Sequence, residues 1–314
     1  MNSVTAQGNR VQAWTLLIVL SLIWGTSYLL IKKGLAGFDP LEIGLLRMSV
    51  AALCLTPFAL FHLRQVRGKE RLQLLVIGFT GNALPAFLYA KAETVIPSAA
   101  AGMLTSTTPI FMLIVGWLCF GSRFPLLKVL GILVGCVGTA VLALAGNTGP
   151  LLGPHLWYSL LVVLAAISYG VNANIIKAFF GRRDPLLVTS IAVAFVGWPS
   201  LVALLVGTDF IARLGTNPAA PRSLVAVIIL GALGTAVAVT LFNRLLQISS
   251  IIFASSVNYT IPLVALGIGI FLDEALTRMH AVGLAVVLAG VWMANRRDRS
   301  LALALPEAPA AAQS

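Results

Sequence analysis

Between Ala13 and Ile31 the chain runs for nineteen residues without a charged side chain, and similar apolar runs return along its whole length. A helix needs about 20 mostly apolar residues to cross the hydrocarbon core of a bilayer. Only 10% of the 314 residues are charged, whereas a soluble domain carries about 25%. Because so few charges cannot cover its apolar surface in water, we predict an all-α membrane protein.

Short polar breaks divide the apolar runs into ten predicted transmembrane helices. The first run is longer than the roughly 7–15 apolar residues of a signal peptide and lacks an A-x-A cleavage site, so it reads as a span. The stretch 297–314, rich in Ala and Pro, is predicted to be disordered. The predicted spans are residues 13–31, 41–62, 72–90, 98–119, 127–146, 156–176, 186–206, 223–243, 250–272 and 279–295.

The chain carries two related strings, SLIWGTSYLLIK from Ser21 and AISYGVNANIIK from Ala166. Alignment of the two halves yields an ordered series of further pairs, which predicts two five-helix repeats over 13–146 and 147–296. An odd number of spans per repeat gives the second repeat the inverted orientation, a common plan of transporters. The paired residues include Trp24 and Tyr169, Asp39 and Asp184, Tyr89 and Phe242, and Pro109 and Pro262.

The distribution of Lys and Arg predicts that both termini lie in the cytoplasm. With the termini inside, the inner segments hold fourteen Lys and Arg residues and the outer segments hold six. Such an excess marks the cytoplasmic side of a membrane protein. The segments 1–12 and 297–314 are therefore predicted to be cytoplasmic. The same bias explains the net charge of +11, so no nucleic-acid partner is predicted.

Polar and aromatic side chains at the middle of the spans predict a central cavity, because polar groups are costly in lipid and face the protein interior. Packing between helices is the alternative for each of them. Pro109 and Pro262 stand beside polar stretches and are candidate hinges, the alternative being a static bend. The candidate substrate-binding residues are Trp24, Tyr28, Asn82, Tyr89, Thr105, Tyr169, Asn172, Ser255, Asn258 and Tyr259.

Arg47 is the one charged residue well inside a predicted span. It either meets a substrate carboxylate or pairs with a backbone carbonyl or a carboxylate of the protein. Since no Asp or Glu lies at midspan, no carboxylate proton relay is predicted there, and facilitated exchange or coupling through a group at a span end fits better. A phosphorylated cargo would need two or more converging Lys or Arg residues, so the predicted cargo is neutral or zwitterionic and partly apolar.

Four strings resemble the EamA branch of the drug/metabolite transporter superfamily: SLIWGTSYLLIKKGL, RMSVAALCLTPFAL, TSTTPIFMLIVGWL and the FLDEALT segment. Their order and spacing carry the resemblance over residues 13–296. Within that branch the chain resembles the YddG-type aromatic amino-acid exporters. The resemblance implies export of amino acids or related metabolites across a bacterial inner membrane. It also implies a cavity lined by spans 1–4 and 6–9, with spans 5 and 10 packed outside.

These features predict an inner-membrane amino-acid exporter of broad specificity, including aromatic amino acids, that works by alternating access around a central cavity. The alternative is an exporter of drugs or other small metabolites. The histidines His62, His155 and His280 lie at span ends and no Cys/His cluster occurs. No enzyme, metal site or cofactor is therefore predicted. A channel is a further alternative. Saturable counterflow would distinguish a carrier from a channel. The expected partners are the amino-acid substrate and membrane lipid, and the expected assembly state is a monomer.

Overall fold

The computed structural model describes residues 2–96, 98–145, 155–271 and 278–295. In these residues all regular elements are helical and no strand occurs, which confirms the all-α class. The predicted boundary between the repeats at 146/147 and the predicted disordered tail 297–314 lie outside the described residues.

The first half of the chain forms helices that follow the predicted spans. A π-helical segment, Phe79–Ala83, joins α3 to α4. The fourth predicted span is divided between α5 and α6 by a turn at 106–107. Pro109 falls in the first turn of α6, where its missing N–H removes no helical hydrogen bond. The helices are α1 (Asn2–Gly34), α2 (Pro40–His62), α3 (Lys69–Gly78), α4 (Leu84–Ala92), α5 (Ser98–Thr105), α6 (Thr108–Phe120) and α7 (Leu126–Ala145).

The second half of the chain repeats these irregularities. A π-helical segment, Ala232–Val237, joins α11 to α12, and the ninth predicted span is divided between α13 and α14 at Ser256. Pro262 lies inside α14. The helices are α8 (His155–Phe179), α9 (Pro185–Gly207), α10 (Phe210–Thr216), α11 (Ala220–Gly231), α12 (Ala238–Ile248), α13 (Ile251–Ser255), α14 (Val257–Phe271) and α15 (Arg278–Asn295).

Six helical stretches among the described residues are long and apolar enough to cross a membrane. Shorter apolar helices fall in the other four predicted spans, so the count of ten stays a prediction. The long stretches are Arg10–Gly34, Pro40–Gln65, Lys69–Ala92, Leu156–Phe179, Pro185–Gly207 and Ala220–Ile248. The shorter ones are Thr108–Phe120, Leu126–Gly138, Ile251–Val264 and Val282–Ala294.

Large apolar side chains cover the outside of the bundle. Phe61 is 76% exposed, Trp117 65% and Val206 84%. Exposed apolar side chains of this size and number are uncommon on a protein in water, whereas the acyl chains of a bilayer solvate them. The surface therefore agrees with the membrane class that the scarcity of charge predicts.

Paired Asp-Pro dipeptides begin α2 and α9. The backbone N–H of Asp39 donates to Glu42 Oε2 at 2.9 Å, and Asp184 Oδ1 accepts from the backbone N–H of Leu186 at 2.9 Å. Both interactions satisfy backbone donors at a helix start, where such groups lack an intrahelical partner. The dipeptides that pair in the sequence thus both stand at a helix start, with the Glu42 side chain as acceptor in the first half and the Asp184 side chain in the second.

Close packing joins the two halves into one bundle, because α2 runs along α9 and α7 runs along α15. A Cβ on Gly197 would lie 2.6 Å from the carbonyl oxygen of Met48, and a Cβ on Gly138 would lie 2.5 Å from the backbone nitrogen of Val287. Small residues permit such approach between membrane helices. The bundle interior is therefore built from both halves of the chain.

Candidate substrate cavity

A cavity lies inside the bundle between helices of the two halves. It encloses about 740 Å³ of space, open solvent at its mouth included. Seven of the ten predicted substrate-binding residues line the cavity, namely Trp24, Tyr28, Tyr89, Thr105, Tyr169, Asn172 and Asn258.

The hydroxyl of Thr105 joins two of the tyrosines. Thr105 Oγ1 lies 2.8 Å from Tyr28 Oη and 2.5 Å from Tyr89 Oη, and it donates to the carbonyl oxygen of Ala101 at 2.8 Å. Because its one proton goes to that carbonyl, both tyrosine hydroxyls donate to Thr105. Their oxygens keep lone pairs, and they can accept a hydrogen bond from a bound solute.

Aromatic rings form much of the cavity wall. Tyr28 and Tyr89 meet edge to face with ring centroids 5.8 Å apart, and Tyr89 stacks on Tyr169 at 6.4 Å. Trp24 and Phe242 form a second pair at 5.3 Å. Such walls favour apolar and aromatic groups, and they also attract cations through their ring faces.

Each π-helical segment receives hydrogen bonds from the other half of the chain. Trp24 Nε1 in α1 donates to the carbonyl oxygen of Gly234 at 3.0 Å. In the opposite direction, Ser168 in α8 donates to the carbonyl oxygen of Thr80 at 2.7 Å, and Asn172 Nδ2 donates to that of Ile77, in α3 just before the segment, at 2.9 Å. Side-chain donors therefore hold the irregular backbone of both segments beside the cavity.

Three of the predicted substrate-binding residues do not line this cavity. Asn82 is buried and its Oδ1 has no hydrogen-bond partner among the described residues. Ser255 donates to the carbonyl oxygen of Ile252 at 2.7 Å. Tyr259 is fully buried and donates to the carbonyl oxygen of Ile132 at 3.1 Å. Their placement favours the packing alternative.

Four cavity-lining polar residues were not among the predicted binding residues, namely Ser27, Arg47, Thr108 and Asn243. Arg47 reaches the wall from α2, and its Nε donates to Thr235 Oγ1 at 2.8 Å. Asn243 donates from Nδ2 to Thr189 Oγ1 at 2.8 Å, while its buried Oδ1 has no partner in the described part of the chain. Asn243 is the last residue of the predicted span 223–243, so a search restricted to the middle of the spans did not find it.

Ion pairs lie at both ends of the bundle. Arg213 pairs with Asp39, and its Nε lies 3.2 Å from Glu42 Oε1. At the other end Arg183 pairs with Glu70. At each end the pair joins residues from different halves of the chain, so these charges connect the two halves outside the cavity.

Glu93 carries a fully buried carboxyl group in the turn that follows α4. It is 0% exposed, Oε2 accepts from Ser98 Oγ at 2.7 Å, and Oε1 has no partner among the described residues. Burial raises the pKa of the Glu93 carboxyl to about 8, against the opposing effects of Ser98 and of the positive charges of Lys32 and Arg47. The group therefore holds its proton near neutral pH.

The sequence matches the model of the EamA-like transporter family over residues 12–144 and again over 156–296. A probable terminal-alkyne amino-acid exporter from Streptantibioticus cattleyicolor is 26% identical over 289 residues, which are 90% of this chain and 93% of the relative. The uncharacterized inner membrane transporter YedA of Escherichia coli K12 is 27% identical over 282 residues, 88% of each chain. The uncharacterized transporter YvbV of Bacillus subtilis is 24% identical over 91% of this chain and 92% of its own.

A solved crystal structure superposes on this fold with a TM-score of 0.66. The match covers 90% of this chain and 96% of the other, at 19% sequence identity. The likeness shows a shared fold over almost the whole bundle.

Proposed function

The chain belongs to the EamA-like transporter family, and from this premise we propose that it exports amino acids, including aromatic ones, across a bacterial inner membrane. The observation that carries the proposal is the cavity wall, in which Tyr28, Tyr89, Tyr169 and Trp24 surround polar groups that can hold a small zwitterion. The relative from S. cattleyicolor is a probable exporter of an amino acid, which supports the same substrate class.

Alternating access between the two membrane faces is the proposed mechanism. The cavity is walled by residues from both halves, and each half donates a hydrogen bond to the π-helical segment of the other. Two similar halves of opposite orientation would give two states of similar energy, one open to each side. The paired segments Phe79–Ala83 and Ala232–Val237 support such a duplication. The excess of Lys and Arg in the inner segments supports cytoplasmic termini.

An exporter of drugs or other small metabolites is the second candidate. The cavity exposes more apolar than polar surface, so an uncharged aromatic solute would also find favourable contacts there. The two candidates differ in whether the cargo carries a carboxylate and an ammonium group.

Counterflow with purified protein in liposomes tests the proposal. We expect saturable uptake of radiolabelled Phe and Thr that is strongly reduced by Trp24→Ala and by Asn258→Leu, because both residues line the cavity. Trp157→Ala is the control for the tryptophan variant, since Trp157 is 73% exposed on the outer surface. Absence of amino-acid uptake by the wild-type protein would overturn the substrate class, and full uptake by both cavity variants would move the site elsewhere.

A further inference from the structure

Arg47 places a guanidinium group on the wall of the cavity, inside the span Pro40–Gln65. Its Nε donates to Thr235 Oγ1 at 2.8 Å, and the two Nη atoms form no hydrogen bond with the described residues. Arg47 also forms no ion pair within the described part of the chain. The outward edge of the guanidinium therefore presents its donors to the cavity.

A guanidinium inside a membrane span is costly unless an anion or several acceptors meet it. The carboxylates near the same end of the bundle have other roles. Asp39 and Glu42 contact Arg213, and Glu93 accepts from Ser98 and leaves Oε1 without a partner. Among the described residues the protein thus supplies no carboxylate to Arg47, and the cavity leaves space for one.

We propose that Arg47 binds the α-carboxylate of the transported amino acid through its two Nη atoms. The planar fork of Arg matches a carboxylate with two parallel hydrogen bonds. The inference rests on the proposed function and specifies the substrate further: a transported molecule must carry a carboxylate. The aromatic wall formed by Tyr28, Tyr89 and Tyr169 then receives the rest of the solute.

Thr235 acts as a positioning residue for this site. It lies in the π-helical segment Ala232–Val237 of the second half, whereas Arg47 lies in α2 of the first half. The hydrogen bond from Nε to Thr235 fixes one edge of the guanidinium and leaves the opposite edge for the ligand. Carboxylate binding is thereby linked to the contact between the two halves.

The test compares Phe with phenylalaninamide and 3-phenylpropionate as competitors of labelled Phe counterflow in proteoliposomes. With the wild-type protein we expect Phe to compete strongly and phenylpropionate to compete measurably. Phenylalaninamide should compete roughly 10-fold to 100-fold more weakly than Phe, because a hydrogen bond to a charged group contributes a free energy that corresponds to this factor. Arg47→Met should raise the KM for Phe by a similar factor and abolish the discrimination against the amide, and Arg47→Lys should lie between.

Matched variants separate binding from a general structural effect. Arg67→Met removes a positive charge from an exposed surface residue and should keep the wild-type preference. Thr235→Val should raise the KM for Phe more than it lowers kcat, and Thr235→Ser should restore it. The competitor series on the wild-type protein needs no variant, so equal competition by the amide would overturn the proposal even if Arg47→Met does not fold, and Arg47→Lys then tests the residue itself.

The outcomes distinguish this inference from the proposed function. Transport of Phe with equal competition by phenylalaninamide would overturn the role of Arg47 and leave amino-acid export standing. An Arg47→Met variant with the wild-type KM and the wild-type preference would do the same. Failure of the wild-type protein to transport any amino acid would overturn both.

Discussion

Lys177 Nζ donates a hydrogen bond of 2.6 Å to the carbonyl oxygen of Leu246, near the end of α12. At the other end of the bundle, Lys32 Nζ donates to the carbonyl oxygen of Glu93 at 3.3 Å. The alignment of the two halves pairs Lys32 with Lys177, and the offset that pairs Tyr89 with Phe242 also pairs Glu93 with Leu246. The same lysine-to-carbonyl contact therefore occurs once in each half, which supports the proposed repeat and suggests a pair of matching closures.

The contact of Lys177 should help to close its end of the cavity, because the ammonium also donates to the carbonyl oxygen of Ser249 at 2.7 Å. We predict that Lys177→Met increases, several-fold, the labelling of a cysteine at Asn243 by an impermeant maleimide. The measurement uses a variant without native cysteines and reagent added on the side of Lys177. Arg182→Met, at an exposed position of the same end, is the control, and equal labelling in both variants would contradict the closure.

The shared hydroxyl of Thr105 should matter for both stability and binding. Thr105→Val leaves the hydroxyls of Tyr28 and Tyr89 without their acceptor, and an unsatisfied buried polar group costs about 1–3 kcal/mol. We predict a lower Tm in detergent and a several-fold higher KM for Phe. Thr105→Ser keeps the oxygen and should retain both values near wild type. Equal Tm and KM values for the Val and Ser variants would show that the hydrogen bonds of Thr105 contribute neither to stability nor to binding.

Glu93 should make the protein less stable in alkaline solution. Its folded-state pKa of about 8 exceeds the ordinary value of 4.5, so between these two pH values the folded state holds a proton that the unfolded state has lost. The free energy of unfolding then falls as the pH rises through this window, by at most about 1.4 kcal/mol per pH unit. Below pH 4.5 both states are protonated and the group contributes no such loss.

Thermal unfolding between pH 5 and pH 9 measures this effect. Glu93→Gln keeps the shape of the side chain without its ionisation, so we expect a flatter dependence of Tm on pH and a higher Tm than wild type at the alkaline end. Asp209→Asn changes an exposed carboxylate and should keep the wild-type slope. If the Tm of Glu93→Gln depended on pH as steeply as that of the wild type, Glu93 would not be the cause of the lower stability at alkaline pH.

Much of the fold follows from local sequence patterns. Apolar runs fix where helices lie, and the Asp-Pro pairs at Asp39 and Asp184 mark helix starts because their chemistry is local. The interruptions are harder to predict. The π-helical segments Phe79–Ala83 and Ala232–Val237 depend on donors from other helices, such as Trp24 to Gly234, and these partners are distant in sequence.

The sequence predicted which types of residue line the candidate site, but it did not predict which side chains face the cavity. Asn258 and Tyr259 are neighbours on one helix and point about 100° apart, so they do not share one face. The structure places Asn258 on the cavity wall and Tyr259 against Ile132 in α7. Which of the two faces the cavity depends on the packing of α14 against α7, and no local pattern contains that information.

Close packing of α7 and α15 gives a test of the fold. A Cβ on Gly138 would lie 2.5 Å from the backbone nitrogen of Val287, and overpacking costs about 1–3 kcal/mol. We predict that Gly138→Ala lowers the Tm in detergent by several degrees. Gly215→Ala is the control, since no atom lies within 4 Å of a Cβ there, and it should be neutral or slightly stabilising. Equal Tm values for the two variants would show that α7 and α15 pack less closely.

Pro262 is the better candidate of the two predicted hinges, because it lies inside α14, whereas Pro109 falls in the first turn of α6. A proline at 262 cannot donate to the carbonyl of Asn258, and that missing hydrogen bond lets the helix bend beside the cavity. We predict that Pro262→Ala slows Phe counterflow several-fold and leaves the equilibrium Kd unchanged. Pro199→Ala, at an exposed position inside α9, should transport at the wild-type rate. A wild-type counterflow rate for Pro262→Ala would show that the bend at this proline is static and would contradict the hinge.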